Sequence, residues 1–165
     1  MGKKIKLGVK IISEFKDFIK ELPHYQHEGD ACFDLRVVIE PKEDAWGFEV
    51  EGSKVLEAGE TFIFHTGLIF DIPEGYMLAV YPRSGLGIKH NIVLANGTGI
   101  IDSCYVDETR VGLVNLGKEP FKISNGDRVA QAMLVPVPVV EIEEVEEVEV
   151  KSRGLNSGLG SSGVQ

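Results

Sequence analysis

The stretch Tyr81 to Tyr105, YPRSGLGIKHNIVLANGTGIIDSCY, carries two apolar runs, Ile92 to Ala95 and Ile100-Ile101, each too short for a helix and parted by Asn96-Gly97-Thr98-Gly99. An Asn-Gly pair between apolar runs is a hairpin signal. Ahead of it, Pro82 closes another apolar run, Arg83 adds a permanent cation, and Ser84 adds a hydroxyl. Gly85 and Gly87 lack side chains, so backbone amides there can approach a ligand closely, and a short helical turn toward Lys89 suits an anion. A sharply bent ribbon also offers backbone donors and acceptors to the edge of a planar base, and Asp102 just beyond stands where it could orient a water. Each piece has an ordinary reading as well: PRSG as a strand-to-turn junction, Asp102 as a turn cap, Tyr105 as core. Together, a phosphate-gripping turn followed by a water-activating carboxylate is the skeleton of a phosphoanhydride-cleaving site.

Outward from this centre the chain continues in short apolar runs. Lys6 to Ile12, Phe33 to Ile39, Thr61 to Phe70, Tyr76 to Tyr81, Val111 to Leu116 and Arg128 to Val135 read as strands. Pro73-Glu74-Gly75 and Ser124 to Asp127 read as turns. The one helix of any length expected is Glu14 to Lys20, soon ended by Pro23. This is an all-β pattern, a β-sandwich or jelly roll, with Asp44 to Ser53 as a polar surface insertion.

At 165 residues and 43% hydrophobic content, a single domain is expected. No run of eighteen apolar residues occurs, and charge alternates with apolar residues too early for a signal peptide, so the reading is cytoplasmic, with no membrane partner. A net charge of −9 argues against nucleic acid. Glu141 to Glu149, interleaved with Ile142, Val145 and Val148, reads as a solvated strand face, with an acidic regulatory segment as the rarer alternative. Cys32 and Cys104 match no zinc spacing with the histidines and suggest two reduced thiols.

Residues 1–150 thus read as the β domain and 151–165 as a flexible Gly/Ser-rich tail. Gly158, Gly160 and Gly163 fit a dinucleotide fingerprint in spacing alone, because such a turn must open a helix and only Val164 and Gln165 follow. Bare amides and hydroxyls can instead fold around phosphates, and Arg153 at the entrance favours a mobile lid.

The order of these segments resembles that of the trimeric dUTP pyrophosphatase (dUTPase) family over nearly the whole chain. The matching segments are Asp30 to Arg36, Pro82 to His90, Asn96 to Tyr105, Gly126 to Leu134, and the tail from Arg153-Gly154 to Gly163. PRSGLGIKH, GIIDSCY and GDRVAQAML are the specific ones. The resemblance implies a jelly-roll homotrimer with sites shared between subunits, hydrolysing dUTP to dUMP and pyrophosphate with Mg²⁺. Such an enzyme keeps uracil out of DNA and supplies dUMP for dTMP synthesis. It further implies Asp102 as the catalytic carboxylate and Arg83, Ser84, Gly85, Gln131 and Arg153 on the phosphates. Ser161 and Ser162, with Gly160, would close over the terminal phosphate. Asn96, Gly99 and Ile101 would hold the base, and Tyr105 would stack under the deoxyribose and leave no room for a 2′-hydroxyl. Mg²⁺ would bind through phosphate oxygens and water, with Asp34 and Gln131 in its outer sphere and no direct protein ligand. Arg128 is expected as a structural ion-pair partner.

Departures from the pattern are few. Leu159 stands where many relatives carry a Phe that stacks on uracil, Cys104 where an acid is common, and Asp107 where Gly is frequent. Two rival functions share the fold: a dCTP deaminase, for which Glu108 is the only nearby Glu, and a nucleotide-gated binding module.

Overall fold

Leu35, Leu78, Leu113 and Ile123, drawn from distant parts of the chain, are all buried together with Phe64 and Phe70 in one apolar cluster. The strands that carry them are short because turn residues interrupt the apolar runs every few positions. A computed structural model describes residues 5–43, 49–50 and 52–148. In chain order, β1 (Gly8–Ile11) leads into a 3-10 helix (Ser13–Phe18), followed by β2 (Phe33–Arg36), β3 (Lys42–Glu43), β4 (Glu49–Val50), β5 (Ser53–Leu56) and β6 (Thr61–Phe64). Next come β7 (Leu68–Asp71), β8 (Tyr76–Pro82), α1 (Ser84–His90), β9 (Ile92–Leu94), β10 (Gly99–Asp102), β11 (Val111–Asn115), β12 (Phe121–Ser124) and β13 (Arg128–Pro136).

All pairings are antiparallel. One sheet runs β10-β8-β13-β2 and a second runs β6-β11-β9, with the pairs β1-β7, β5-β12 and β3-β4 beside them. On β11 the side chains of Val111, Leu113 and Asn115 turn inward and Gly112 and Val114 are half-buried, the alternation of a strand with one face on a core. In β8 the successive residues Leu78, Ala79 and Val80 are all buried, so both faces of this strand, which is paired with β10 and β13 on its edges, are covered there. The all-β expectation therefore holds, and no helix among the described residues is long and apolar enough to cross a membrane.

Several expected elements change in detail. Thr61 to Phe70 is two strands, because the chain breaks at His65 to Gly67, where Gly67 has φ +68°. The helix expected over Glu14 to Lys20 is the tighter 3-10 turn, burying only Phe15. Strands β5 and β12, unmarked in the sequence reading, pair with each other from Ser53 opposite Ser124 to Leu56 opposite Phe121. Within the Asp44 to Ser53 insertion, residues 44–48 and 51 lie outside the described residues, while Glu49–Val50 forms β4 and Ser53 opens β5. The acidic stretch is no strand over residues 141–148: β13 ends at Pro136, and Val139, Ile142, Val145 and Val148 are exposed. Pro136 and Pro138 lack the N–H groups that a continued ladder needs.

Candidate active site

The Asn96-Gly97 turn does reverse the chain, with the Gly97 amide donating to the Leu94 carbonyl at 3.0 Å and φ +70° at Gly97. The strands on either side do not pair with each other, however. β9 joins β11 while β10 joins β8, so the turn carries the chain from one sheet to the other. An Asn-Gly pair specifies the reversal, not the edge that each arm finds. The consequence for the site is direct: among the described residues β10 ends its sheet, with β8 beside it and no strand on its other edge.

A cleft of about 260 Å³ lies against β10. Its lining brings together Asn96, Gly99, Ile101, Asp102 and Tyr105, and adds Glu108. Asp102 is exposed, and among the described residues no ion pair or side-chain hydrogen bond engages its carboxylate. Tyr105 is 42% exposed, so it is not core. Its amide bonds the Asp102 carbonyl at 3.1 Å and its hydroxyl donates to the Glu108 carbonyl at 2.9 Å. Glu108 is buried, with one carboxylate oxygen accepting from the Thr66 and Gly67 amides and the other facing His65 Nδ1 and Arg110 Nε. These contacts make Glu108 an anchor between the β10–β11 connection and the chain at Thr66 and Gly67.

The second cluster sits at the far end of β8. Asp34 on β2 takes Arg83 Nε on one oxygen at 2.8 Å and Arg128 Nη1 on the other at 3.0 Å. Arg83 Nη1 also donates to the Arg128 carbonyl at 2.8 Å, and Gln131 Nε2 donates to the Pro82 carbonyl at 2.9 Å. A register shift between Arg128 and Ala130 in the β2 ladder helps aim Arg128 at Asp34. Ser84 and Gly85 open α1 here, and a Cβ built on Gly85 would meet nothing within 4 Å. The Leu86 and Gly87 amides donate to the Arg83 carbonyl at 3.1 and 3.0 Å, which leaves the Ser84 and Gly85 amides as the helix-opening donors beside the Arg83 cation. A groove of about 370 Å³ beneath Phe18 to Gln26 borders the cluster through Asp34. Cys32 is two residues before Asp34, and burial, then the Asp30 and Asp34 charges, push its thiol pKa up.

Strand register sets the distance between the two clusters. Asp102 pairs with Met77, whereas Arg83 follows Pro82 at the other end of β8. Six residues of strand span about 20 Å. Arg153, Leu159, Gly160, Ser161 and Ser162 lie outside the described residues. The sequence marks every named member of both clusters, but Glu108 only as the nearby Glu of a rival deaminase and not as an anchor, since its partners Thr66 and Gly67 are about forty residues away and carry no motif.

Comparison with known proteins supplies the context. A family model described as dUTPase matches residues 19–163. The deoxyuridine 5'-triphosphate nucleotidohydrolase of Alcanivorax borkumensis is 43% identical over 145 residues, covering 87% of this chain and 89% of its own. That of Neisseria meningitidis serogroup C is 41% identical over 161 residues, covering 96% and 97%. Among solved structures, a variant of the Staphylococcus bacteriophage 80alpha dUTPase with dUpNHpp superposes with a TM-score of 0.79 at 26% identity, covering 98% of this chain and 100% of its own. A variant dUTPase of phage phi11 of S. aureus, described with a structural Mg(II) ion, superposes at 0.71 with 25% identity, covering 88% and 99%. A strand-bordered cleft ending in Asp102 and Tyr105, an arginine corner at the other end of β8, and these matches agree: the chain belongs to the dUTPase family.

Proposed function

We infer that this chain hydrolyses dUTP to dUMP and pyrophosphate. The observation that carries the reading is the cleft in which the free edge of β10, Asp102 and Tyr105 meet. Backbone groups on that edge would read the uracil edge, and a site built to hydrogen-bond one base edge rejects a mismatched one by about 10⁴. Asn96, Gly99 and Ile101 supply the wall that excludes a thymine methyl, and Tyr105 the floor under the sugar.

Asp102 holds the attacking water. The water oxygen bonds to the α-phosphorus as the bond from that phosphorus to the bridging oxygen breaks, pyrophosphate leaves, and Asp102 takes the proton. A carboxylate is intrinsically a weak base, so alignment of water and neutralisation of phosphate charge supply most of the acceleration. Arg83, Ser84, Gly85 and Gln131 would hold the phosphate chain, with Arg128 fixing Asp34. Residues 151–165, with Arg153, Leu159, Gly160, Ser161 and Ser162, would act as a lid.

Among the described residues no group of three or more His, Cys, Asp or Glu converges as a protein cage for a cation would. Mg²⁺ carried on phosphate oxygens and water needs no such cage, and the donor set fits that mode. Asp34 and Gln131 face each other in the β2 to β13 ladder, and the carboxylate keeps acceptor capacity beyond its two arginine bonds. When bound, Mg²⁺ would neutralise charge on the phosphates.

About 20 Å of strand parts Asp102 from Arg83 within one chain, which disfavours one chain supplying both groups to the same triphosphate. A homotrimer that joins the arginine corner of one subunit to the cleft of the next resolves this. Pyrophosphate release measured with Mg²⁺ across dUTP, dTTP, dCTP and UTP tests the function. Turnover confined to dUTP is expected; no release from dUTP, or ammonia from dCTP, overturns it.

A further inference from the structure

We propose that Glu108 is a positioning residue that references the Tyr105 ring to the protein core and thereby sets discrimination against ribonucleotides. The inference rests on the dUTPase reading of the cleft. Tyr105 lies on the connection between β10 and β11, which has no ladder of its own to hold it in place. Its ring is fixed at the hydroxyl, which donates to the backbone carbonyl of Glu108 at 2.9 Å. The position of that carbonyl is in turn decided by the Glu108 side chain.

The side chain reaches across to the connector between β6 and β7. One oxygen accepts from the Thr66 amide at 3.1 Å and the Gly67 amide at 2.8 Å, and the other lies 2.8 Å from His65 Nδ1. At 7% exposure, a carboxylate is held by such bonds rather than by solvent. Two further bonds close the seam: the Thr109 amide donates to the Leu68 carbonyl at 2.8 Å, and the Thr66 hydroxyl donates to the Thr109 carbonyl. Gly67 itself rests on Phe15 and Ile19, since a Cβ placed there would stand 2.8 Å from each. The path therefore runs from core, through the connector, through one buried carboxylate, to the hydroxyl of the sugar platform.

A platform that excludes a 2′-hydroxyl by contact must not yield. Loosening it costs little for dUTP, which has no group there, and admits UTP. The test compares Glu108→Ala, Glu108→Gln and Tyr105→Phe by kcat/KM for dUTP and UTP. In Glu108→Ala the dUTP preference over UTP is expected to fall about tenfold, as a site losing one packing constraint does. Glu108→Gln keeps an acceptor for the Thr66 and Gly67 amides and is expected to retain most of the preference. Tyr105→Phe, which removes the tether while leaving the carboxylate, is expected to lower the preference even if Glu108→Ala fails to fold. The double variant should lose no more than the larger single loss, because both act on one tether. Unchanged preference in Tyr105→Phe, or additive losses, overturns the proposal. Wild-type protein inactive on dUTP would instead overturn the functional reading.

Discussion

Asp102 is the residue on which the proposed chemistry turns, and its setting bears on what it can do. It is exposed at the end of β10, with no described ion pair or side-chain hydrogen bond to draw its charge away. A positioned general base typically contributes 10²- to 10⁴-fold, and Asp102→Asn keeps the shape while losing the proton acceptor. A fall in kcat of about that size with KM for dUTP little changed is expected, measured by pyrophosphate release. The two thiols are expected to differ equally clearly. Cys104 is exposed, while Cys32 is half-buried with its pKa raised by burial and by Asp30 and Asp34, so less of it is thiolate at any given pH. Alkylation with iodoacetamide near pH 8, mapped by peptide mass, should label Cys104 first. At this scale the sequence was most legible, because PRSG, GIIDSCY and GDRVAQ carry their chemistry in adjacent residues. Glu108 was not, because its role depends on backbone amides at Thr66 and Gly67 that have no side-chain signature.

Among the elements, periodicity located the strands but not their partners. Ile92 to Ala95 and Ile100-Ile101 both became strands around the expected reversal, yet they entered different sheets, since a turn residue fixes local dihedrals and edge choice depends on what each face buries. The apolar spacing of Glu141 to Glu149 likewise says which side chains would share a face, not that an edge waits for them. The break in Thr61 to Phe70 is a further case, with Gly67 the residue that makes it possible. There φ is +68°, and a Cβ would stand 2.8 Å from Phe15 and Ile19 side-chain atoms. Gly67→Ala therefore meets backbone strain of about 1–3 kcal/mol together with overpacking of about 1–3 kcal/mol. A loss of at least about 2 kcal/mol is expected in urea unfolding, with the midpoint lowered and the slope unchanged. Gly85→Ala is the control, because open space surrounds that position and its φ is not in the left-handed region; its stability should stay within about 1 kcal/mol of the parent.

For the molecule as a whole, β8 holds the two halves of the proposed site at opposite ends. Asp102 sits beside Met77 and Arg83 lies just past Pro82, and a rigid strand flanked by β10 and β13 cannot fold them together. The proposed sharing of sites between subunits follows from that separation, and it makes a quantitative prediction. In a ring where each site joins one subunit's Arg83 to its neighbour's Asp102, Asp102→Asn and Arg83→Ala chains are separately inactive but complementary. Heterologous contacts repeat around a closed ring, so each mixed trimer rebuilds one intact site in three, and random equal mixing returns about a quarter of wild-type turnover. Unfolding and refolding the two variants together, with mixed trimers isolated by two affinity tags, supplies the measurement. Turnover near a quarter is expected of the mixture and one intact site of each isolated mixed trimer. Activity no higher than the two parents would mean that one chain completes its own site, and the strand register argues against that outcome at every residue between Met77 and Arg83.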